Sequence, residues 1–168
     1  MAHLHPDLDP LRDLVGTWSG RGHGEYPTID PFDYEETVTF GHGGKAFLVY
    51  LQRTFDPGSG RPMHTETGYV RVPAPGTVEL VVAQPTGIVE VAEGRLTTGV
   101  GVSGTPGAGS VRLRTTATAK TATAKTVDAI ERDLDWDGDS LVTVVRMAAV
   151  GVPMTHHLRS ELVRSPAP

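Results

Sequence analysis

Short alternations of apolar and polar residues run along most of the chain and are separated by clusters of glycine, proline and aspartate. Alternation with a period of two is typical of half-buried strands, and such clusters are typical of turns. Connections this short force neighbouring strands to be antiparallel. The pattern predicts ten strands, at 17–26, 33–40, 46–55, 64–72, 77–83, 88–93, 95–102, 111–117, 124–136 and 140–150.

Ten antiparallel strands in sequence predict an all-β fold, an up-and-down β-barrel, because closure of the sheet removes exposed strand edges. A barrel of this size has room for one small ligand. The pair Asp137-Gly138 separates the last two predicted strands and favours a type I′ hairpin turn.

A short N-terminal helix is predicted over 7–15. Leu8, Leu11 and Leu14 have helical spacing there, and Gly16 follows the last of them. The apolar face of such a helix has to be buried, so we expect it to close one end of the barrel.

A short C-terminal helix is predicted over 153–164. Apolar residues recur in this segment at helical spacing, and Pro153 suits a first helical position. On that helix His157 and Leu158 face the barrel, whereas His156 is turned away.

Composition narrows the functional class. The 168 residues fit one domain, 1–168, with 1–6 and 165–168 expected to be disordered. The net charge is −5, so the chain lacks the excess of positive charge that attracts nucleic acid or an anionic membrane. The absence of cysteine excludes disulfides, zinc–thiolate sites and iron–sulfur clusters.

The expected compartment follows from two further absences in the sequence. No apolar run is long enough for a membrane-spanning helix, and residues 1–10 lack the apolar core of a signal peptide. We therefore expect a cytoplasmic protein. A two-fold homodimer is the expected assembly, because it is the commonest one.

His157 is the first candidate for chemistry. It lies beside Leu158 on the apolar face of the predicted C-terminal helix. A neutral imidazole ligates a metal through one ring nitrogen while the other nitrogen donates a hydrogen bond that fixes the tautomer. A single histidine beside an apolar cavity is how a five-coordinate haem is held. The alternative is a partly buried histidine with a structural role only, and the residues around it leave both interpretations open.

Met63 and His64 stand at the start of the fourth predicted strand. Alternation places His64 and Glu66 on the same face of that strand. In one interpretation, Met63 or His64 lines the mouth of a pocket. In the other, this segment is the ordinary start of a strand and has no functional role.

Several other motifs are excluded by their spacing. The glycine-rich stretch 16–24 follows a helix and lacks the spacing of a dinucleotide-binding loop. Its glycines instead strip one face of a strand, which allows bending or close approach, with Trp18 as a core anchor. The aspartates around Gly138 do not match an EF-hand. No zinc-protease or serine-hydrolase motif is present, and no carboxylate pair is singled out.

Three segments together resemble the nitrobindin family, haem-binding β-barrels whose fold is similar to that of fatty-acid-binding proteins. The first segment, 16–36, contains GTWSGRG, followed by YPTI and PFDYEE. The second is HTETGYVR at 64–71, followed by VELV at 78–81. The third is His157-Leu158, with Leu162 and Arg164 behind it.

The resemblance implies a barrel that binds one haem b per chain, with ferric iron near the barrel mouth. His157 is implied as the axial iron ligand. Thr28 and Lys125 correspond to positions that contact the haem, and Met63 and His64 to the distal side. The implied activity is isomerisation of peroxynitrite to nitrate, with reversible binding of nitric oxide.

Two features of the sequence depart from this pattern, and two other functions remain open. His156 stands directly before His157 and competes with it as a ligand, and the duplicated TATAK at 116–125 blurs the alignment of Lys125. The first alternative function is a haem-free carrier of a fatty acid or another small apolar ligand. The second is a structural or interaction domain whose own side chains fill the barrel.

Overall fold

Ten β-strands and one short 3₁₀ helix make up the part of the chain that the structure, a computed structural model, describes: residues 3–100 and 106–166. Residues 1–2, 101–105 and 167–168 lie outside the described residues. These include parts of the termini expected to be disordered and the end of the strand predicted at 95–102. The strands are β1 (Gly16–Tyr26), β2 (Ile29–His42), β3 (Leu48–Phe55), β4 (Pro62–Arg71), β5 (Thr77–Gln84), β6 (Ile88–Val100), β7 (Pro106–Lys120), β8 (Val127–Asp137), β9 (Ser140–Ala149) and β10 (Val152–Arg164).

The strands form a closed antiparallel barrel in which each strand pairs with its neighbours in sequence and β1 pairs with β10. The predicted ten-stranded up-and-down barrel is therefore confirmed. Among the described residues, no helix is long and apolar enough to cross a lipid bilayer.

The N-terminal helix, Pro6–Leu14, is confirmed and is a 3₁₀ helix. Its three residues per turn stack Leu8, Leu11 and Leu14 on one face, and each of these side chains is at most 1 % exposed. The Trp18 indole Nε1 donates a 2.9 Å hydrogen bond to the Leu14 carbonyl oxygen. This contact joins the helix to β1, and the buried leucines of the helix close this end of the barrel.

The predicted C-terminal helix over 153–164 is wrong, because this segment is strand β10. Helical periodicity is misleading here since the strand contains a β-bulge. His156 pairs with Arg146 and Leu158 pairs with Val145, so His157 is an extra residue with no partner in β9. The bulge breaks the period-two alternation that would otherwise have identified a strand.

Two other predictions of local structure need correction. The strands predicted at 88–93 and 95–102 are one strand, β6, which continues through Gly94. The hairpin at Asp137-Gly138 is confirmed, but its two loop residues are Gly138 and Asp139. Gly138 has a φ of 58°, and the described residues with positive φ do not include Asp139. A type I′ turn requires positive φ at both positions, so this loop is not of that type.

The inside of the barrel has three layers along its axis. The connections β1–β2, β3–β4, β5–β6, β7–β8 and β9–β10 surround an open mouth, and the N-terminal helix covers the closed end. Apolar side chains such as Leu11, Trp18 and Leu48 pack together at the closed end. Between the two lies a layer of buried polar residues, here called the polar belt: Glu36, Gln52, Glu66, Glu90 and Arg132.

Candidate functional site

A cavity of about 660 Å³ opens at the barrel mouth and reaches down through the polar belt. This volume lies within the range of roughly 300–1,000 Å³ that is usual for small-molecule and cofactor sites. All five residues predicted for the site line this one cavity, although they come from four different parts of the chain: Thr28, Met63, His64, Lys125 and His157.

The His157 ring is held by a backbone hydrogen bond. Its Nδ1 lies 3.1 Å from the carbonyl oxygen of Glu25, in β1. A carbonyl oxygen only accepts hydrogen bonds, so Nδ1 carries the proton. The lone pair of a neutral imidazole is then on Nε2, the arrangement found in metal-ligating histidines.

Aromatic residues pack against the His157 imidazole, and burial favours its neutral form. Tyr26 packs edge-on against the ring with a centroid distance of 5.4 Å, and Phe32 lies at 6.5 Å. The Tyr26 hydroxyl accepts a 3.0 Å hydrogen bond from the Ala149 amide, which anchors it to β9. Burial lowers the pKa of His157; the Glu25 carbonyl opposes this shift, and the charges of His156 and His64 add to it.

The bulge in β10 explains which of the two adjacent histidines faces the cavity. Because His157 is the extra residue, both His157 and Leu158 line the cavity. His156 pairs in register with Arg146 and is not among the lining residues. The predicted orientations of His156, His157 and Leu158 are therefore confirmed, although the helix from which they were argued does not exist.

Met63 and His64 lie on β4, which is separated from β10 by β1, β2 and β3 in the barrel. The backbone amide of His64 donates a 3.0 Å hydrogen bond to Thr54 Oγ1. The His64 Nε2 is 3.6 Å from Glu66 Oε1. The alternation predicted for β4 is confirmed, because His64 lines the cavity and Glu66 is buried below it.

Thr28 and Lys125 lie in connections at the mouth. Thr28 is in the β1–β2 turn, and Lys125 is in the β7–β8 connection. Only the first copy of the TATAK duplication is strand; the second copy forms the connection that carries Lys125 to the cavity. Lys120, at the end of the first copy, instead donates a 3.2 Å hydrogen bond to the Ala124 carbonyl oxygen.

The alternating glycines of β1 bring aromatic side chains of β2 close to its backbone. A Cβ atom on Gly22 would lie 2.2 Å from Tyr34 Cζ, and one on Gly24 would lie 2.4 Å from Phe32 Cζ. The predicted close approach at this stretch is confirmed. It lets Phe32 and Tyr34 lean over β1 and form part of the cavity wall.

The polar belt was not recognised from the sequence as a unit. Arg132 donates to both oxygens of Glu66, at 2.9 Å each, and through Nε and Nη2 to Glu90 Oε2, at 3.0 and 2.8 Å. Although burial opposes ionisation of Glu66, Arg132 and His64 lower its pKa to about 2. A signal was present, since charged residues occupy inward positions of otherwise apolar strands.

Within residues 3–100 and 106–166, no three His, Asp or Glu side chains are grouped so that they would hold a metal ion. A metal ion bound by His157 would therefore need further ligands from outside the described side chains. The ring nitrogens of a porphyrin would supply them. The free Nε2, the apolar and aromatic wall, and Lys125 at the mouth fit a haem in this cavity.

Fold and site together define a closed β-barrel whose open end holds a cavity for a small molecule, lined by apolar and aromatic side chains and by His157. The profile of the family described as "THAP4-like, heme-binding beta-barrel domain" matches residues 7–164. The chain belongs to this family.

Similar proteins agree with this assignment. A protein of Mycobacterium marinum named peroxynitrite isomerase 2 is 51 % identical over 97 % of this chain and 98 % of its own length. Peroxynitrite isomerase of Nocardia farcinica is 48 % identical over 96 % of this chain and 92 % of its own length. The crystal structure of Rv2717c from M. tuberculosis superposes with a TM-score of 0.91 at 43 % identity and covers 98 % of this chain and 100 % of that one.

Proposed function

We propose that the barrel binds one haem b, with His157 as its axial ligand, and isomerises peroxynitrite to nitrate. The observation that carries this proposal is the hydrogen bond from His157 Nδ1 to the Glu25 carbonyl oxygen, because it leaves Nε2 free at the cavity. The activity is proposed from the relatives named peroxynitrite isomerase, which match nearly the whole chain.

The chain's own residues divide the work of holding the cofactor. Bound through one neutral histidine, the haem iron supplies an open coordination position for a small ligand. Tyr26 and Phe32 pack against the His157 ring and limit its rotation. Lys125 at the mouth would pair with the haem propionates, and the Thr28 hydroxyl would donate a hydrogen bond to the bound haem.

The distal side of the proposed site is formed by Met63 and His64. Met63 supplies an apolar surface, and His64 supplies a hydrogen-bonding ring anchored near Glu66. Ferric iron held in such a site would be accessible to an oxidant anion such as peroxynitrite. Nitric oxide, which is small and uncharged, is proposed to bind reversibly in the same place.

Of the alternative function, a haem-free carrier of a fatty acid or another small apolar ligand, the fatty acid part is disfavoured at the polar belt by Arg132. This buried guanidinium donates hydrogen bonds to Glu66 and Glu90, so its donors are already engaged inside the protein. A fatty acid carboxylate placed at the polar belt would compete with these two anions for Arg132.

The test of the activity is stopped-flow decay of peroxynitrite with analysis of the nitrate and nitrite formed. Haem-loaded protein is expected to accelerate decay and raise the nitrate fraction above that given by free haemin at equal concentration. The haem-free chain is the matched control and is expected to have no effect. Equal rates and product ratios for loaded protein and free haemin would overturn the proposed activity.

A further inference from the structure

The cavity continues below the polar belt toward the closed end, beyond the residues proposed to hold the haem. Its walls there are apolar, which suits a hydrocarbon group. They are formed by Val38, Phe40, Val70, Leu80, Val111 and Leu113.

Two buried polar atoms of the belt have no hydrogen-bond partner. Glu36 and Gln52 are 7 % and 5 % exposed, and both line the cavity. Gln52 Nε2 donates a 2.9 Å hydrogen bond to Glu36 Oε1, whereas Glu36 Oε2 and Gln52 Oε1 are unpartnered. Leaving such atoms buried without partners disfavours folding, so their retention points to a group that they bind.

The chemistry of this pair is set by its protonation state. Burial raises the pKa of Glu36, and the nearby Ser160 and Gln52 only partly oppose the shift. In the neutral form that burial favours, the carboxyl proton is on Glu36 Oε2 and Gln52 Oε1 is an acceptor, so the two unpartnered atoms are one donor and one acceptor. The same count results if the amide of Gln52 is turned over, because donor and acceptor then merely exchange places.

The neighbouring charges select against an anion. Glu66 and Glu90 both accept hydrogen bonds from Arg132, so the belt already has two carboxylates for one guanidinium. The carboxylate of a ligand bound beside Glu36 would be repelled by Glu66 and Glu90. The residues that define the polar belt include no second cation to offset this repulsion. An ammonium group only donates hydrogen bonds and would leave the free donor of the pair without a partner. A hydroxyl group donates one hydrogen bond and accepts another, which matches what the pair offers.

We propose that Glu36 and Gln52 form a binding subsite for the hydroxyl group of a small uncharged molecule, whose hydrocarbon body occupies the deep apolar part of the cavity. The subsite is separate from His157 and does not depend on the proposed haem activity.

The proposal is tested with four probes of one shape: benzyl alcohol, toluene, benzoate and benzylammonium. Each is titrated into the purified full-length chain as isolated, and binding is followed by NMR at the side-chain amide of Gln52. We expect benzyl alcohol to shift this amide and to bind more tightly than benzoate and benzylammonium.

Two variants separate recognition of the hydroxyl from filling of the cavity. The double variant Glu36→Leu/Gln52→Leu removes both polar side chains together. Replacing both partners of a buried hydrogen bond by apolar groups of similar shape costs little stability. It is expected to lower the ratio of benzyl alcohol affinity to toluene affinity by about tenfold or more. Glu36→Gln keeps a donor and an acceptor and is expected to retain most of the preference.

Three results would overturn the subsite. One is tighter binding of benzoate or benzylammonium than of the alcohol. Another is a failure of benzyl alcohol to shift the Gln52 amide. This failure would mean either that the alcohol binds elsewhere or that it does not bind, as expected if the subsite holds water only. The third is an unchanged affinity ratio in the double variant; if that variant does not fold, the wild-type amide shift and the order of the four probes decide.

Discussion

The His157 ring nitrogen Nδ1 lies 3.1 Å from the backbone oxygen of Glu25, which joins the bulge of β10 to the neighbouring strand β1. The pairing of β1 with β2 also shifts register beside this point, between Gly24 and Tyr26. Two irregularities of the barrel thus meet at the mouth and place one imidazole. A regular β10 would have continued its alternation and could not have turned both His157 and Leu158 to the cavity.

This hydrogen bond predicts the tautomer of His157. In the haem-free protein at pH 7.5, the proton is expected on Nδ1, because the Glu25 carbonyl accepts from it. Nitrogen-15 chemical shifts of the ring report the tautomer directly. His156, which does not line the cavity, is the internal comparison. A His157 ring protonated mainly on Nε2 would contradict the assignment of Nε2 as the free ligand atom.

The ionisation of Glu66 makes the free energy of unfolding depend on pH. Its pKa falls from an ordinary 4.5 to about 2, because Arg132 and His64 outweigh the effect of burial. A lowered folded-state pKa stabilises the fold above pH 4.5, and this contribution of about 3 kcal/mol is lost as pH falls toward 2. Glu66→Gln is expected to remove that acid dependence and to cost about 3–5 kcal/mol at pH 7.

The control for this variant is Glu79→Gln, which breaks the exposed ion pair between Arg71 and Glu79. Exposed pairs contribute about 0–1 kcal/mol, so a small change is expected. Urea unfolding at several pH values measures both variants. A similar loss of unfolding free energy in the two would show that the buried pairing of Glu66 with Arg132 has no special weight.

Gly22 permits the packing of Tyr34 in the cavity wall. In Gly22→Ala the new Cβ would lie 2.2 Å from Tyr34 Cζ and 2.5 Å from Ser160 Oγ, so the ring has to move. Overpacking of this kind costs about 1–3 kcal/mol. Gly41→Ala is the matched control, because a Cβ at Gly41 meets nothing within 4 Å. Equal unfolding free energies of the two alanine variants would contradict a packing role for Gly22.

The sequence was sufficient for the global fold because its signals are local and repeated. Alternation and turn chemistry predict the antiparallel strands, and Leu8, Leu11 and Leu14 predict the helix that closes the barrel. Strand β10 was mispredicted because a bulge breaks alternation, and a bulge arises from pairing with a distant strand. The single strand β6 was divided at Gly94, since a glycine in a strand resembles a turn. A Cβ there would lie 1.8 Å from the Arg112 carbonyl oxygen, which gives the glycine a packing reason.

The site was predictable only where a residue pattern was specific. The residue pattern pointed to His157, Met63 and His64, the resemblance added Thr28 and Lys125, and the fold brings all five to one cavity. The polar belt depends on side chains from β2, β3, β4, β6 and β8, which no local pattern connects. Inward-facing charge on an apolar strand was its only sequence signal. The Glu25 partner of His157 is a backbone carbonyl, which every residue has. The sequence therefore could not show which carbonyl accepts this hydrogen bond.

His157 is proposed to be the residue that holds haem in this barrel. The most direct test of this proposal is a haemin titration of the haem-free protein, followed by the Soret absorbance, with His157→Ala and His156→Ala in parallel. We predict a saturable one-to-one Soret band in the wild type and in His156→Ala, and its loss in a folded His157→Ala. An unchanged band in His157→Ala, or its loss in His156→Ala alone, would contradict the assignment.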